Sequence, residues 1–150
     1  MALADDLYAY YSLDEASGSA VDALGARTLT ENATVGIRTG KISGARQFAG
    51  GGTDFFKASS ASVAAFGDTS FTICGWLYLD TFLTFNNVVL GKHGGGGLDP
   101  WQLYIGGSGS RRLFWDVVGS DASPVSVSST NFGQLSTGAW HFFAVWHDAA

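Results

Sequence analysis

Apolar residues recur with period two along Phe71-Thr72-Ile73-Cys74-Gly75-Trp76-Leu77-Tyr78-Leu79-Asp80. One face of that stretch carries Phe71, Ile73, Leu77 and Leu79, and the other carries Cys74, Trp76 and Tyr78. Successive side chains of a strand point to opposite faces, so a strand apolar on both sides needs a layer above and another below. Ala139-Trp140-His141-Phe142-Phe143-Ala144-Val145-Trp146-His147 has the same character. Two such segments, in a chain almost free of helical periodicity, predict stacked antiparallel sheets with these strands at the centre and Trp76, Trp140 and Trp146 in the core.

Shorter segments fill in the order of elements. Leu7–Leu13 reads as an opening strand, with Tyr8 and Tyr10 on one face and Tyr11 and Leu13 on the other, and residues 14–19 read as a turn. A short strand over Arg27–Thr30 precedes a polar loop over Asn32–Gly40. Strands follow at Ala45–Ala49 and, past Gly50-Gly51-Gly52, at Asp54–Ala58, while Ser59–Phe66 suits one helical turn. Asn87–Lys92 is the next strand. Trp101–Ile105 and Arg112–Val118 flank Gly106-Gly107-Ser108-Gly109-Ser110, which signals a hairpin. Val125–Thr130 alternates Val with Ser, as a half-exposed strand does. Residues 93–100, with four consecutive glycines, form a loop and not a phosphate cradle, because no Lys-Ser/Thr and no helix follow them.

Composition narrows the function classes. At 150 residues the chain is read as one domain spanning residues 1–150, and 46% hydrophobic with 14% aromatic content is too apolar for disorder. Charged residues are only 14%, so Ser, Thr, Asn and Gly must clothe the surface. Net charge is −5 and the one basic pair is Arg111-Arg112, which argues against nucleic acid as a partner. No apolar run is long enough to cross a membrane as a helix. The single cysteine, Cys74, permits no intrachain disulfide and is read as a packed thiol. Residues 1–7 lack the basic and apolar regions of a secretory signal.

Several stretches carry a family likeness in their order along the chain. They are Tyr10-Tyr11-Ser12-Leu13-Asp14-Glu15 with Gly18 and Val21-Asp22, then Gly44-Ala45-Arg46-Gln47-Phe48, then the Phe71–Asp80 strand with Trp76. Leu90-Gly91-Lys92, Trp101-Gln102-Leu103-Tyr104, Ser136-Thr137-Gly138-Ala139-Trp140-His141 and Trp146-His147-Asp148 complete the set. In this order the chain resembles the laminin-G-like members of the concanavalin-A-like lectin/glucanase superfamily. The resemblance implies an all-β fold, an antiparallel two-sheet jelly-roll sandwich. It departs from the family at Ala49, where members carry an Asp, and in lacking the strands that follow the Trp-His-Asp turn in relatives. The C-terminal strands are therefore expected to be missing. The resemblance thus leads to the expectation of either a fragment or a chain completed by strands of another subunit, as a homo-oligomer or assembly subunit would be.

Candidate sites follow from the residues and the likeness together. Glycoside hydrolysis needs two carboxylates flanking the scissile bond. The only Glu residues are Glu15 and Glu31, both in N-terminal loops, so no catalytic residue is assigned and the chain is read as non-enzymatic. Asp116, with Trp115 beside it, could line a sugar cleft, although a lone strand Asp more often faces solvent. His141 and His147 lie six positions apart on a strand, about 20 Å, too far for one metal. The resemblance implies a rim calcium, for which Asp54 and Asp14 are the candidate ligands. Carbohydrate recognition wants an aromatic platform beside a few polar groups. Trp101 next to the Gly-rich loop, with His93 and Asp99, is the candidate, against a core-facing role for Trp101 and a turn-forming role for Asp99. The expected function is a binding or adhesion module for carbohydrate or a partner protein, extracellular or on a virion or tail surface. The alternatives are a structural decoration subunit and a degenerate glycan hydrolase.

Overall fold

The computed structural model describes residues 6–25, 27–58, 69–92, 101–118, 123–130 and 133–149. The regular structure among these residues is ten strands: β1 (Thr30–Asn32), β2 (Gly36–Thr39), β3 (Gly44–Gln47), β4 (Phe55–Lys57), β5 (Phe71–Tyr78), β6 (Asn87–Lys92), β7 (Trp101–Ile105), β8 (Leu113–Val118), β9 (Pro124–Ser128) and β10 (Trp140–His147). Every pairing is antiparallel, and no α-helix occurs among the described residues. The helical turn expected over Ser59–Phe66 and the Gly-rich loop lie outside them. The chain divides into two compact units, Phe71–His147 and the remainder.

Within Phe71–His147, β6-β7-β8-β9 form a four-stranded meander, and β5 pairs with β10 along eight residues from Phe71↔His147 to Tyr78↔Trp140. The two sheets pack through a core of Leu103, Trp115 and Phe143. Phe71, Ile73 and Leu77 of β5 and Val145 of β10 join it from one side, and Leu90, Trp101, Leu113 and Val117 from the other. Alternation decides which residues these are: Trp101, Leu103 and Ile105 point inward from β7, and Leu113, Trp115 and Val117 from β8. Phe143 lies across Gly75, where a Cβ would stand 3.3 Å from its ring, so glycine at this position lets the ring reach the core.

The expectation that β5 and β10 are covered on both faces is not met. On their inner faces Phe143 is buried and Phe71, Ile73, Leu77 and Val145 are half-buried, but on the outer faces Trp76 is 44%, Phe142 58% and Trp146 68% exposed, and Cys74 is exposed too. Trp140 is half-buried beside Tyr78. The packed thiol and the core placement of Trp76 and Trp146 are thereby corrected. The four-stranded sheet is also wider than the layer beneath it. Val125 and Val127 lie in register with Val117 and Trp115, on the core side of β9, yet remain 68% and 61% exposed. Strands spaced about 4.8 Å apart explain this, since two strands span roughly half the width of four.

The other unit is built around polar groups. β1 pairs with β4, β2 with β3, and isolated bridges join Tyr11 to Asp22 and Ala20 to Leu29. The predicted opening strand over Leu7–Leu13 reduces to the first of those bridges, held where Asp22 accepts hydrogen bonds from the Tyr10 and Leu24 amides at 3.0 and 3.1 Å. The polar loop expected over Asn32–Gly40 contains β2 instead. Backbone ladder bonds to β3 need no apolar side chains, which is why an apolar pattern does not reveal the strand. Arg46 of β3 is buried and donates to the Glu31 carboxylate at 2.8 Å and to the carbonyls of Glu15, Gly18 and Val35 at 2.9, 3.1 and 3.2 Å. Glu31 also accepts from the Val35 amide at 2.7 Å. One guanidinium thus ties the N-terminal loop to β1 and to the loop ahead of β2.

Removing one member of a buried ion pair strands the other. Arg46→Ala is expected to destabilise this unit by about 3–5 kcal/mol, read from urea denaturation followed by circular dichroism. Arg46→Lys should recover only part of the loss, because an ammonium lacks the planar fork that serves four acceptors.

Candidate functional site

Strand alternation that sends Trp101, Leu103 and Trp115 inward sends a second set of side chains to the outer face of the four-stranded sheet. Two cross-strand rows result, Gln102–Asp116–Ser126 and Tyr104–Phe114–Ser128. In the first row the Ser126 hydroxyl donates to Asp116 Oδ1 at 2.6 Å, and Gln102 Nε2 donates to Asp116 Oδ2 at 3.3 Å. In the second, the Tyr104 and Phe114 rings stack almost parallel, 5.0 Å between centroids and 5° between planes. Ser128 Oγ lies 2.7 Å from Thr130 Oγ1.

The Tyr104 phenol joins the two rows electrostatically. Burial, then the negative charge of Asp116, push its pKa above the ordinary 10.0, while a hydrogen bond with Ser126 pulls the other way. A carboxylate, an amide and hydroxyls therefore stand beside a rigid aromatic pair on regular strands. All are half-buried except Ser126, which is exposed. Such a surface can hold a polar ligand by hydrogen bonds at one end and ring contact at the other.

The residues singled out from the sequence fall in different places. Trp101, half-buried at the start of β7, turns its ring to the core, 5.7 Å from Trp115 and 6.1 Å from Phe71. His93 and Asp99 lie outside the described residues. Asp14 Oδ1 accepts the Gly44 amide at 2.8 Å, and a Cβ at Gly44 would come 3.2 Å from the Asp14 Cα, so the two segments meet where a glycine permits it. Asp54 accepts the Ala49 amide. Both carboxylates close loops, and among the described residues no three His, Cys, Asp or Glu side chains gather as metal ligands.

Asp116 is the one residue of the outer face that the sequence singles out as a candidate, beside Trp115 in the chain. Adjacent strand residues point oppositely, and Trp115 is 7% exposed inside the core. Gln102, Tyr104, Phe114 and Ser126 were missed. The signal for Gln102 and Tyr104 was present in the expected hairpin: its register sets Gln102 opposite Asp116 and Tyr104 opposite Phe114.

No family profile, curated protein or solved structure matches the chain.

Folded Tyr104 holds its proton more tightly than the unfolded chain does, so the folded state binds more protons as pH rises past the ordinary tyrosine value. Stability should be unaffected by this group below pH 10.0 and fall above it. Tyr11 is raised in the same way, first by burial and then by Asp22, and adds to the decline. Urea midpoints measured from neutral pH to pH ~11 should fall less steeply in Tyr104→Phe than in the wild type.

Proposed function

We propose that the chain is a non-enzymatic recognition module of the laminin-G-like jelly-roll type, and that it binds carbohydrate through the outer face of the β6-β7-β8-β9 sheet. The observation that carries this reading is the parallel Tyr104–Phe114 pair standing beside the Asp116 carboxylate, Gln102 amide and Ser126 hydroxyl. Sugars present C–H faces suited to aromatic contact and hydroxyls suited to bidentate carboxylate and amide groups. Placement on paired strands keeps these groups fixed before the ligand arrives, which lowers the ordering cost of binding. Among the described residues of the face Asp116 is the single carboxylate, whereas acid–base cleavage of a glycoside uses two, which favours binding over turnover. An extracellular or virion surface, where glycans are met, suits a module with so few charged residues.

Screening on a glycan array, followed by calorimetry on any hit, tests the assignment. Losing a hydrogen bond to a charged group costs about 1.5–3 kcal/mol, so Asp116→Asn should weaken binding roughly tenfold to hundredfold. Tyr104→Phe should weaken it less, and Ile42→Thr, at a position 76% exposed in the other unit, should leave it unchanged. Glycan affinity that survives Asp116→Asn, or absence of any glycan signal, would contradict the reading.

A further inference from the structure

The outer face of the β5–β10 pair has a different chemistry from the proposed sugar-binding face. Register places four cross-strand pairs on it: Tyr78 with Trp140, Trp76 with Phe142, Cys74 with Ala144, and Thr72 with Trp146. None of the eight carries a charge, in a protein whose net charge is −5. The rings are already locked against one another, Trp76 on Phe142 at 5.3 Å and 61°, and Tyr78 on Trp140 at 5.4 Å and 60°. The Trp76–Phe142 pair is edge-to-face, a favoured arrangement for aromatic rings, and the Tyr78–Trp140 pair is tilted; packed in this way, the rings have little side-chain freedom to lose on docking.

The occupant can be narrowed by chemistry. A glycan needs acceptors and donors set among the rings, and this face has no carboxylate or side-chain amide. An anionic membrane surface is drawn to Lys and Arg around an apolar face, and the face has neither. A second copy of the same face is different, since uncharged aromatic surface meets uncharged aromatic surface with no ion to desolvate and no repulsion. Interface centres are enriched in Trp, Tyr and Phe and depleted of charge in the same way.

The area also fits. Trp146 at 68%, Phe142 at 58% and Trp76 at 44% exposure leave roughly 350 Å² of ring open, at about 200 Å² per ring. Two such faces, with the flanking Cys74, Ala144, Thr72, Tyr78 and Trp140, reach about the 1,000 Å² that a specific interface requires. We infer that the Trp76–Phe142–Trp146 face of the β5–β10 sheet docks onto the same face of a second copy, as a two-fold symmetric dimer. In a symmetric face-to-face contact each residue of the patch is buried by the partner's patch. Cys74, exposed on this outer face between the Trp76–Phe142 and Thr72–Trp146 pairs and the only thiol, then serves as a built-in reporter of the contact.

Sedimentation equilibrium over about a hundredfold range of protein concentration, with the rate of Cys74 alkylation measured in parallel, tests the inference. The wild type should pass from monomer to dimer as concentration rises, and alkylation should slow several-fold over the same range. The exposed double substitution Phe142→Thr/Trp146→Thr keeps strand-forming residues at both positions and should weaken dimerisation at least tenfold. It should also make alkylation independent of concentration, with the far-ultraviolet circular dichroism unchanged. Trp76→Thr, tested separately, should weaken dimerisation in the same direction. A wild type that stays monomeric throughout, a dimer that survives these substitutions, or a thiol whose rate ignores concentration would each overturn it. Glycan binding is read independently through Asp116, so failure of one assignment does not entail failure of the other.

Discussion

Burial of Leu103, Trp115 and Phe143 between the β5–β10 pair and the four-stranded meander is the constraint on which the rest of the Phe71–His147 unit depends. Burial of apolar area is the dominant favourable term in folding, and strand geometry leaves no freedom in how it is met. Once Leu103 and Trp115 face inward, Gln102 and Asp116 must face outward, and a one-residue slip would exchange them. The polar face proposed for sugars and the apolar interior are two consequences of one register. Outer residues of β5 and β10 obey the same rule, and the same alternation that buries Phe143 exposes Phe142.

The other unit reaches order by a different route. Its strands are short, three or four residues each, and its buried residues include Asp22 and Arg46 alongside Ala20 and Val35. Charge-assisted hydrogen bonds from one guanidinium to four oxygens take the place that a broad apolar core holds elsewhere. Buried ionic groups of this kind add little net stability over an apolar replacement. They do demand that every partner be in place, which gives loops with few buried apolar residues a defined path.

The long strands were legible in the sequence because their alternation is strong. The bounds of Asn87–Lys92 and Trp101–Ile105 coincide with β6 and β7, and Phe71–Asp80 exceeds β5 by two residues. β2 was not legible, since Gly36-Ile37-Arg38-Thr39 pairs through its backbone and buries no apolar side. The aromatic faces were read as core because hydrophobicity alone does not say what covers it. A finer signal lay in residue type. The core side of β5 and β10 mixes Phe with Ile, Leu and Val, whereas the exposed side is Trp, Tyr and Phe among small residues, a composition more typical of contact surfaces than of interiors. The candidate site was legible only as Asp116. Its partners emerge from pairing across strands, which no single segment displays.

All five tryptophans lie in the Phe71–His147 unit, so hydroxyl-radical footprinting in dilute solution measures its inside–outside assignment directly. Oxidation should be fastest at Trp146, 68% exposed, next at Trp76, 44% exposed, and slowest at Trp115, 7% exposed. Oxidation of Trp115 as fast as that of Trp146 would show that the two sheets do not close over the core described here.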